Sequence, residues 1–300
     1  MRILAAVLGS PIAHSKSPLL HRAAFTALNM ESSEYSRFEL GADELEGFLD
    51  SHPDHTGFSL TMPLKDRLVS LAAERGWRVD ETAALTAAGN TLVRRGGRVQ
   101  VANTDVEGIV RAISARTDAE VEGAGDGRAT ILGAGATAAS ALVACRDLGI
   151  THVDLRVRNP DRARRILDLA ERIGLTASVG DLTRIGPSTI VISTLPAEAA
   201  PDPVWDDSRT RGGIALDVAY AGDSTFLAAA AAHGLRPVAG TAMLVEQAVA
   251  QFEMFLGAAQ SAAGDAGNGS ATDMRDPGLR ERITRAMYSA LDDHAPSAQG

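Results

Sequence analysis

Lys65 is the residue whose placement asks most for chemistry. It follows the strand-like run Gly57 to Met62 and Pro63, which stops the strand and opens a helix. Open α/β sheets present their sites beyond such strand ends. A lysine near the start of a helix also meets the positive end of the helix dipole, a small local cost. The plainer alternative is a solvated surface charge. Ser15 and Ser17 form a second candidate, within Ile12-Ala13-His14-Ser15-Lys16-Ser17-Pro18. Ser17 before Pro18 suits a helix N-cap with proline at the first helical position. Two hydroxyls beside a helix N-terminus can bind a carboxylate, or they can simply shape the helix start. His14 and Lys16 can be exposed neighbours with no role. Asn90 and Asp105 each stand at the end of a strand, where side chains can converge on one cleft. Asp105 also suits an N-cap.

A different chemistry is written in Ala129 to Ala139, Ala-Thr-Ile-Leu-Gly-Ala-Gly-Ala-Thr-Ala-Ala. A short apolar run, a glycine turn and a small-residue helix to about Leu148 form the opening of a dinucleotide-binding βαβ unit. Gly133 allows the tight turn. Gly135 lets the backbone come close to a pyrophosphate. Ala138 replaces the third glycine and is still small enough for close helix–strand packing. The helix N-terminus supplies N–H groups and partial positive charge. Such a turn is also an ordinary strand-to-helix connection. The next strand ends at Val157-Arg158-Asn159, with Arg162 nearby and no carboxylate at its tip. A carboxylate there bonds the ribose hydroxyls of NAD. A guanidinium can instead grip the extra phosphate of NADP.

The elements that must position these groups alternate in the α/β manner. Ile3 to Leu8 is a strand, and a helix runs on through Leu28. Glu34 to Leu40 is a strand and Asp43 to Asp50 a short helix. Val79 to Ala87 reads as a helix. Leu92 to Arg94 and Val99 to Val101 form a hairpin around Arg95-Gly96-Gly97-Arg98. A helix runs from Val106 to about Arg116, and Thr117 to Gly127 reads as a polar loop. Further on, His152 to Val157, Leu175 to Val179, Thr189 to Ser193, Gly213 to Val218 and Leu235 to Ala239 are strands. Pro160 to Ile173 and Thr225 to His233 are helices. Gly240 opens an amphipathic helix to about Leu256. Residues 258–274 read as a flexible insertion, and Leu279, Ile283, Met287 and Leu291 have helical spacing.

Composition narrows the function classes. A length of 300 residues suggests two domains. A hydrophobic content of 45% is sufficient for real cores. The formal charge of −9 argues against a general nucleic-acid or anionic-membrane binder. The single cysteine, Cys145, lies on an apolar helix face and fits a reducing cytoplasm. No signal peptide is read at Met1 to Leu8, and no apolar run nears the roughly 20 residues of a membrane span.

Six segments together resemble the shikimate dehydrogenase family, from about Val7 to Leu256. They are Gly9 to Pro18 (GSPIAHSKSP), Leu60 to Lys65 (LTMPLK), Ala88 to Leu92 (AGNTL), Asn103 to Asp105 (NTD), Gly133 to Gly135 and Gly240 to Ala248 (GTAMLVEQA). Their order and spacing carry the resemblance. It implies an α/β protein of two domains, with an N-terminal α/β substrate domain over 1–105 and 241–300. A Rossmann-like NADP-binding domain covers 106–240, and the C-terminal helix returns to the first domain. The implied reaction is reduction of 3-dehydroshikimate to shikimate with NADPH, in the cytoplasm, within aromatic amino acid biosynthesis.

Carried over by position, the resemblance makes Ser15 and Ser17 the carboxylate-binding serines, with Tyr220 contributing there. Thr61, Asn90, Asp105 and Gln247 hold ring hydroxyls, and Lys65 with Asp105 is the catalytic pair. The backbones of Val218 and Gly240 approach the nicotinamide. Gly133, Ala134, Gly135, Ala136 and Thr137 form the pyrophosphate site, and Arg158, Asn159 and Arg162 the phosphate-reading tip. Departures are Ser59, where many members have asparagine, Ala136 in place of a glycine, and Val157-Arg158-Asn159 in place of Asn-Arg-Thr. Hydride from the cofactor reaches the ring ketone, and Lys65 supplies the proton that the developing alkoxide needs. Alternatives are an NAD-dependent quinate/shikimate dehydrogenase and a non-catalytic NADP-binding sensor on the same fold. No metal, nucleic acid or membrane partner is expected, and a homodimer is left open.

Overall fold

A computed structural model describes residues 1–116, 127–196, 199, 203–206, 212–220, 222–263 and 276–294. Most of the polar loop Thr117 to Gly127 lies outside them, as do parts of the stretch from Pro196 to Gly212. The chain forms two compact units, residues 1–104 with 247–300, and residues 105–246. These divisions fall at 104/105 and 246/247, against the expected 105/106 and 240/241.

In the first unit, β1 (Leu4–Gly9) leads to α1 (Ser17–Ala27), β2 (Glu34–Glu39), α2 (Leu45–Ser51), β3 (Gly57–Leu60) and α3 (Lys65–Arg75). Then come β4 (Arg78–Val79), α4 (Glu81–Thr86), β5 (Thr91–Arg95) and β6 (Arg98–Ala102). They form one mixed sheet in the order β2-β1-β3-β5-β6-β4. β1 runs parallel to β2 and β3, while β5 is antiparallel to β3 and β6. β3 is buried along its whole length and β1 nearly so, as continuous apolar runs require in a sheet covered on both faces. Leu64, Leu68, Leu71 and Ala72, at helical spacing, bring α3 down on Leu8, Phe58, Leu60, Leu92 and Val101 in one core.

The hairpin closes with Arg95 opposite Arg98, leaving Gly96 and Gly97 as a two-residue turn. The expected helix from Val79 to Ala87 is shorter. Val79 pairs with Val101 as β4, and Asp80 caps α4 by accepting from Ala83 N–H at 2.6 Å. β-branched Val79 pairs in the sheet, and the capping aspartate sets the helix start at Glu81.

The second unit begins with α5 (Asp105–Ser114) and continues through β7 (Arg128–Leu132), α6 (Ala136–Asp147), β8 (His152–Arg156), α7 (Arg164–Arg172) and β9 (Thr176–Gly180). It goes on with β10 (Arg184–Ile185), β11 (Ile190–Ser193), β12 (Val204–Trp205), β13 (Ile214–Asp217), α8 (Thr225–Ala232) and β14 (Arg236–Val238). Six strands form a wholly parallel sheet in the order β14-β13-β11-β7-β8-β9. Read from β7, this is the 3-2-1-4-5-6 order of a dinucleotide-binding sheet, with its switch point between β7 and β11. Cys145 is fully buried in α6, and burial pushes its thiol up to about 12, so the residue packs and does not react.

α9 (Gly240–Ala263) begins in the second unit and ends in the first, so a unit boundary falls inside one helix. It also corrects the expected insertion. Residues 258–263 are helical, and Ala258 and Ala259 are buried, because small side chains let the helix pack closely. Residues 264–274 lie outside the described residues. α10 (Leu279–Asp293) buries Leu279, Ile283 and Met287 and packs on α1 in the first unit. Burying each of these side chains contributes roughly 1.5–3 kcal/mol. Among the described residues no helix is long and apolar enough to cross a membrane.

Candidate active site

One edge of the first unit's sheet collects most of the candidate substrate residues. The C-terminal ends of β1, β3 and β6 and the N-terminal end of β5 meet there, because β5 runs against its neighbours. Main-chain bonds tie the loops together. Thr61 N–H donates to Leu8 O at 2.9 Å, Leu60 N–H to Asn90 O at 2.7 Å, and Asn90 N–H to Ala102 O at 3.0 Å. Gly89 N–H donates to Lys65 O at 3.0 Å, so the Asn90 loop is anchored on the first residue of α3.

Lys65 and Thr61 are half-buried at this edge. Ser17 is buried and Ser15 half-buried where the chain leaves β1. The expected cap is displaced by one residue. α1 starts at Ser17, Lys16 occupies the cap position without a side-chain bond, and Ser15 Oγ accepts the Ser17 N–H at 3.4 Å. Ser15 therefore shapes the turn, and the Ser17 hydroxyl does not cap.

Asn90 is held through its side-chain carboxamide. Thr104 N–H donates to its Oδ1 at 2.9 Å, and its Nδ2 donates to Thr104 Oγ1 at 2.9 Å. Gln247, on α9, receives a longer contact of 3.5 Å from the same nitrogen. Asn103 donates to Thr86 Oγ1 and Ala88 O at 3.0 and 2.9 Å, so it braces the loop from behind. Ser59, which stands where many family members have asparagine, has its hydroxyl engaged within the protein. Its hydroxyl accepts from Tyr35 and donates to Gln251, both at 2.7 Å. Sequence reading missed Tyr35, Thr104 and Gln251. Gln251 had one signal, since it stands four residues after Gln247 on the same helix face.

The second unit carries the cofactor candidates. Gly133 follows β7 at φ +110°, a conformation for glycine, and any Cβ there would overlap the Thr194 hydroxyl beyond β11. Gly135 occupies the N-cap of α6 with no side-chain cap bond, so the first-turn N–H groups of Ala136 and Thr137 are left to a ligand. A Cβ on exposed Gly135 would meet nothing within 4 Å, which leaves the approach to Ala134 and that helix end open. At the tip of β8, Arg158 and Arg162 are exposed. Asn159 caps a 3-10 turn over Pro160–Ala163, accepting from Asp161 N–H at 2.9 Å. That turn precedes α7, in place of one uninterrupted helix from Pro160. Asp105 is buried at the start of α5. Tyr220 is partly buried, and burial raises its phenol. Gly240 lies against the carbonyls of Asp217, Val218 and Ala219.

Comparison with known proteins gives the family. A family model for the shikimate dehydrogenase substrate binding domain matches residues 7–92. A shikimate dehydrogenase (NADP(+)) of Methylibium petroleiphilum is 34% identical over 268 residues, covering 84% of this chain and 88% of that protein. The chain belongs to the shikimate dehydrogenase family. The crystal structure of Mycobacterium tuberculosis shikimate dehydrogenase superposes with a TM-score of 0.74 at 32% identity, covering 96% of this chain and 99% of that one. A Thermus thermophilus shikimate 5-dehydrogenase in complex with NADP(H) and shikimate gives a TM-score of 0.71 at 27% identity, covering 96% and 100%. The residues matched by the substrate binding domain model, 7–92, fall within the first unit.

Proposed function

We propose that this family member reduces 3-dehydroshikimate to shikimate with NADPH, in the cytoplasm. The observation that carries the reading is the gathering of Lys65, Thr61, Asn90 and the Ser15–Ser17 segment at one edge of one sheet. Ser15 and Ser17 hold the carboxylate, with Tyr220 contributing. Thr61, Asn90, Asp105 and Gln247 hold the ring hydroxyls. A site built to bond hydroxyls rejects analogues that lack them, because its buried polar groups then go unpaired.

The residues present fit NADP. Gly133 to Thr137 provide an open, uncapped helix start for the pyrophosphate. Arg158 and Arg162 provide guanidinium groups at the β8 tip, and Val218 and Gly240 flank the nicotinamide with main chain only. When bound, the reduced nicotinamide supplies a hydride to the ring ketone. Lys65 gives a proton to the resulting alkoxide oxygen and takes it back in the reverse direction. Asp105 orients the lysine and accepts a bond from a substrate hydroxyl.

The test is absorbance of reduced nicotinamide during shikimate oxidation, with NADP and NAD in parallel and quinate as a second substrate. Turnover of shikimate with NADP is expected. A protein that turns over neither substrate with either cofactor would sink the reading. Cofactor choice has its own test in Arg158. Arg158→Ala is expected to lose roughly 1.5–3 kcal/mol of NADP binding, the scale of a charged hydrogen bond. NAD use is expected to stay as it was, since NAD carries no phosphate there. Equal losses with both cofactors would show that Arg158 supports the fold instead.

A further inference from the structure

A cavity of about 560 Å³ opens in the first unit, away from the candidate substrate residues. Arg78 of β4, Arg95 of β5, Arg98 and Gln100 of β6 and Ser261 of α9 line it. β6 runs from Arg98 at the cavity to Ala102, beside the Asn90 loop. The two places are therefore a strand length apart, roughly 14 Å.

The register of the sheet explains the gathering. Arg95 stands opposite Arg98 in the β5–β6 pair, and Arg78 opposite Gln100 in the β4–β6 pair. Arg98 and Gln100 are two residues apart on β6, so all four side chains rise from one face of the sheet. Val101 points to the other face, into the core with Leu68 and Leu71, and Val99 packs against that core. Ser261 brings the end of α9 beside the polar face, and α9 stops at Ala263.

An ordinary solvated strand face would mix its charges. This lining holds three guanidinium groups and no carboxylate, in a chain of formal charge −9. Among the described residues, none of the three joins an ion pair or donates a side-chain hydrogen bond. Arg94, next to them in sequence, donates instead to the main-chain carbonyls of Leu49, His52 and His55. Like charges directly opposite, as at Arg95 and Arg98, work against strand pairing. The end of α9 offers only about half a negative charge against three cations. The concave surface is therefore short of an anion. A guanidinium forks onto two oxygens of a phosphate, and one phosphate has oxygens for more than one fork. The volume falls in the range of about 300–1,000 Å³ usual for small-molecule sites, which leaves room for an organic body.

We propose that this cavity binds a small organic phosphate, with Arg78, Arg95 and Arg98 forking onto the phosphate oxygens and the Gln100 carboxamide bonding the organic part. The site is separate from the glycine turn of the second unit and from the substrate edge of the first.

The probe is pyrophosphate, titrated into the ¹⁵N-labelled full chain at low salt. The backbone amides of Gly96 and Gly97 report on the cavity, and those of Gly133 and Gly135 report on the glycine turn, so the two places are read apart. Saturable shifts at Gly96 and Gly97 are expected in the native protein. Arg98→Gln and Arg78→Gln are each expected to weaken that binding about tenfold, the scale of one charge-assisted hydrogen bond. The response at Gly133 and Gly135 is expected to stay as in the native protein. Both arginines are exposed, so the variants keep their fold. Arg98→Lys keeps the charge and loses the fork, and it is expected to bind severalfold more weakly than native. Arg22→Gln removes an equal charge from an exposed position on α1 and is expected to leave the affinity unchanged. Unmoved Gly96 and Gly97 amides in the native protein would overturn the proposal, as would equal affinities in the native protein and both glutamine variants. A loss in Arg22→Gln as large as in Arg98→Gln would overturn it by showing a general attraction for anions. Tighter binding of citrate than of pyrophosphate would overturn the choice of phosphate.

Discussion

Lys65→Ala is expected to lower kcat for shikimate oxidation by about a hundredfold or more, with a much smaller change in KM. The expectation follows from where the side chain starts. Lys65 is the first residue of α3, half-buried, and its main-chain carbonyl is fixed by the Gly89 N–H at 3.0 Å. Its backbone therefore stays in place when the side chain is cut back. Alanine is the best helix former, and removing a cation from a helix start relieves the dipole. The variant should fold as well as the native protein, so lost activity cannot be blamed on unfolding. A drop in kcat with retained KM identifies a group that acts only in the chemical step. A kcat within a fewfold of native would show that another group moves the proton. A matched rise in KM would make Lys65 a binding residue.

Gly240→Ala is expected to cost about 3 kcal/mol or more of stability in the second unit, at the upper end for added bulk in a packed site. A Cβ there would stand 2.6 Å from the carbonyl oxygens of Asp217 and Ala219 and 2.8 Å from that of Val218. All three obstacles are main chain. They sit in a turn held by Ser224 Oγ donating to Asp217 Oδ2 at 2.6 Å and by Ala219 N–H donating to Asp217 Oδ1 at 3.2 Å. The turn cannot yield without breaking those bonds. Gly135→Ala is the control, since its Cβ would meet nothing within 4 Å and its φ of −86° suits any residue. That substitution should leave Tm nearly unchanged while weakening NADP, if the backbone there does face the pyrophosphate. Calorimetry of the two variants beside the native protein checks both. Equal melting temperatures for Gly240→Ala and native would show that the turn is softer than its hydrogen bonds indicate.

Much of the architecture could be read before any coordinates. The glycine turn, the hairpin around Gly96-Gly97 and the alternation of strands and helices depend on residues close together in sequence. Their turn chemistry and periodicity act within a few positions, so they survive in a bare string of letters. The same holds for the β8 tip, where Arg158 stands without a carboxylate. Local reading failed where two local preferences competed. At Val79-Asp80, a β-branched residue joins the sheet and the capping aspartate sets the helix start at Glu81, and at Ser15-Lys16-Ser17 the helix began at the residue expected to cap it. Past Ala258, glycine and alanine looked like a flexible insertion, yet the first six residues continue α9. Small residues are as suited to close helix packing as to disorder, and composition does not distinguish the two.

Taken alone, the amino-acid order determined the two βα-rich halves, the family motifs in their spacing and the identity of the groups able to do chemistry. Only the tertiary structure decided how those groups are held. The strand order β2-β1-β3-β5-β6-β4 brings the ends of β1, β3, β5 and β6 to one edge, and no local pattern encodes which strands become neighbours. Asn90 owes its orientation to Thr104, and its loop to Gln251 across 161 positions of chain. Ser59, a departure from the asparagine of many family members, spends its hydroxyl between Tyr35 and Gln251, the latter 192 positions away. A buried polar group must find partners wherever the fold brings them, because leaving it unpaired costs about 1–3 kcal/mol. The choice of partner is therefore made by packing, after the local elements have formed.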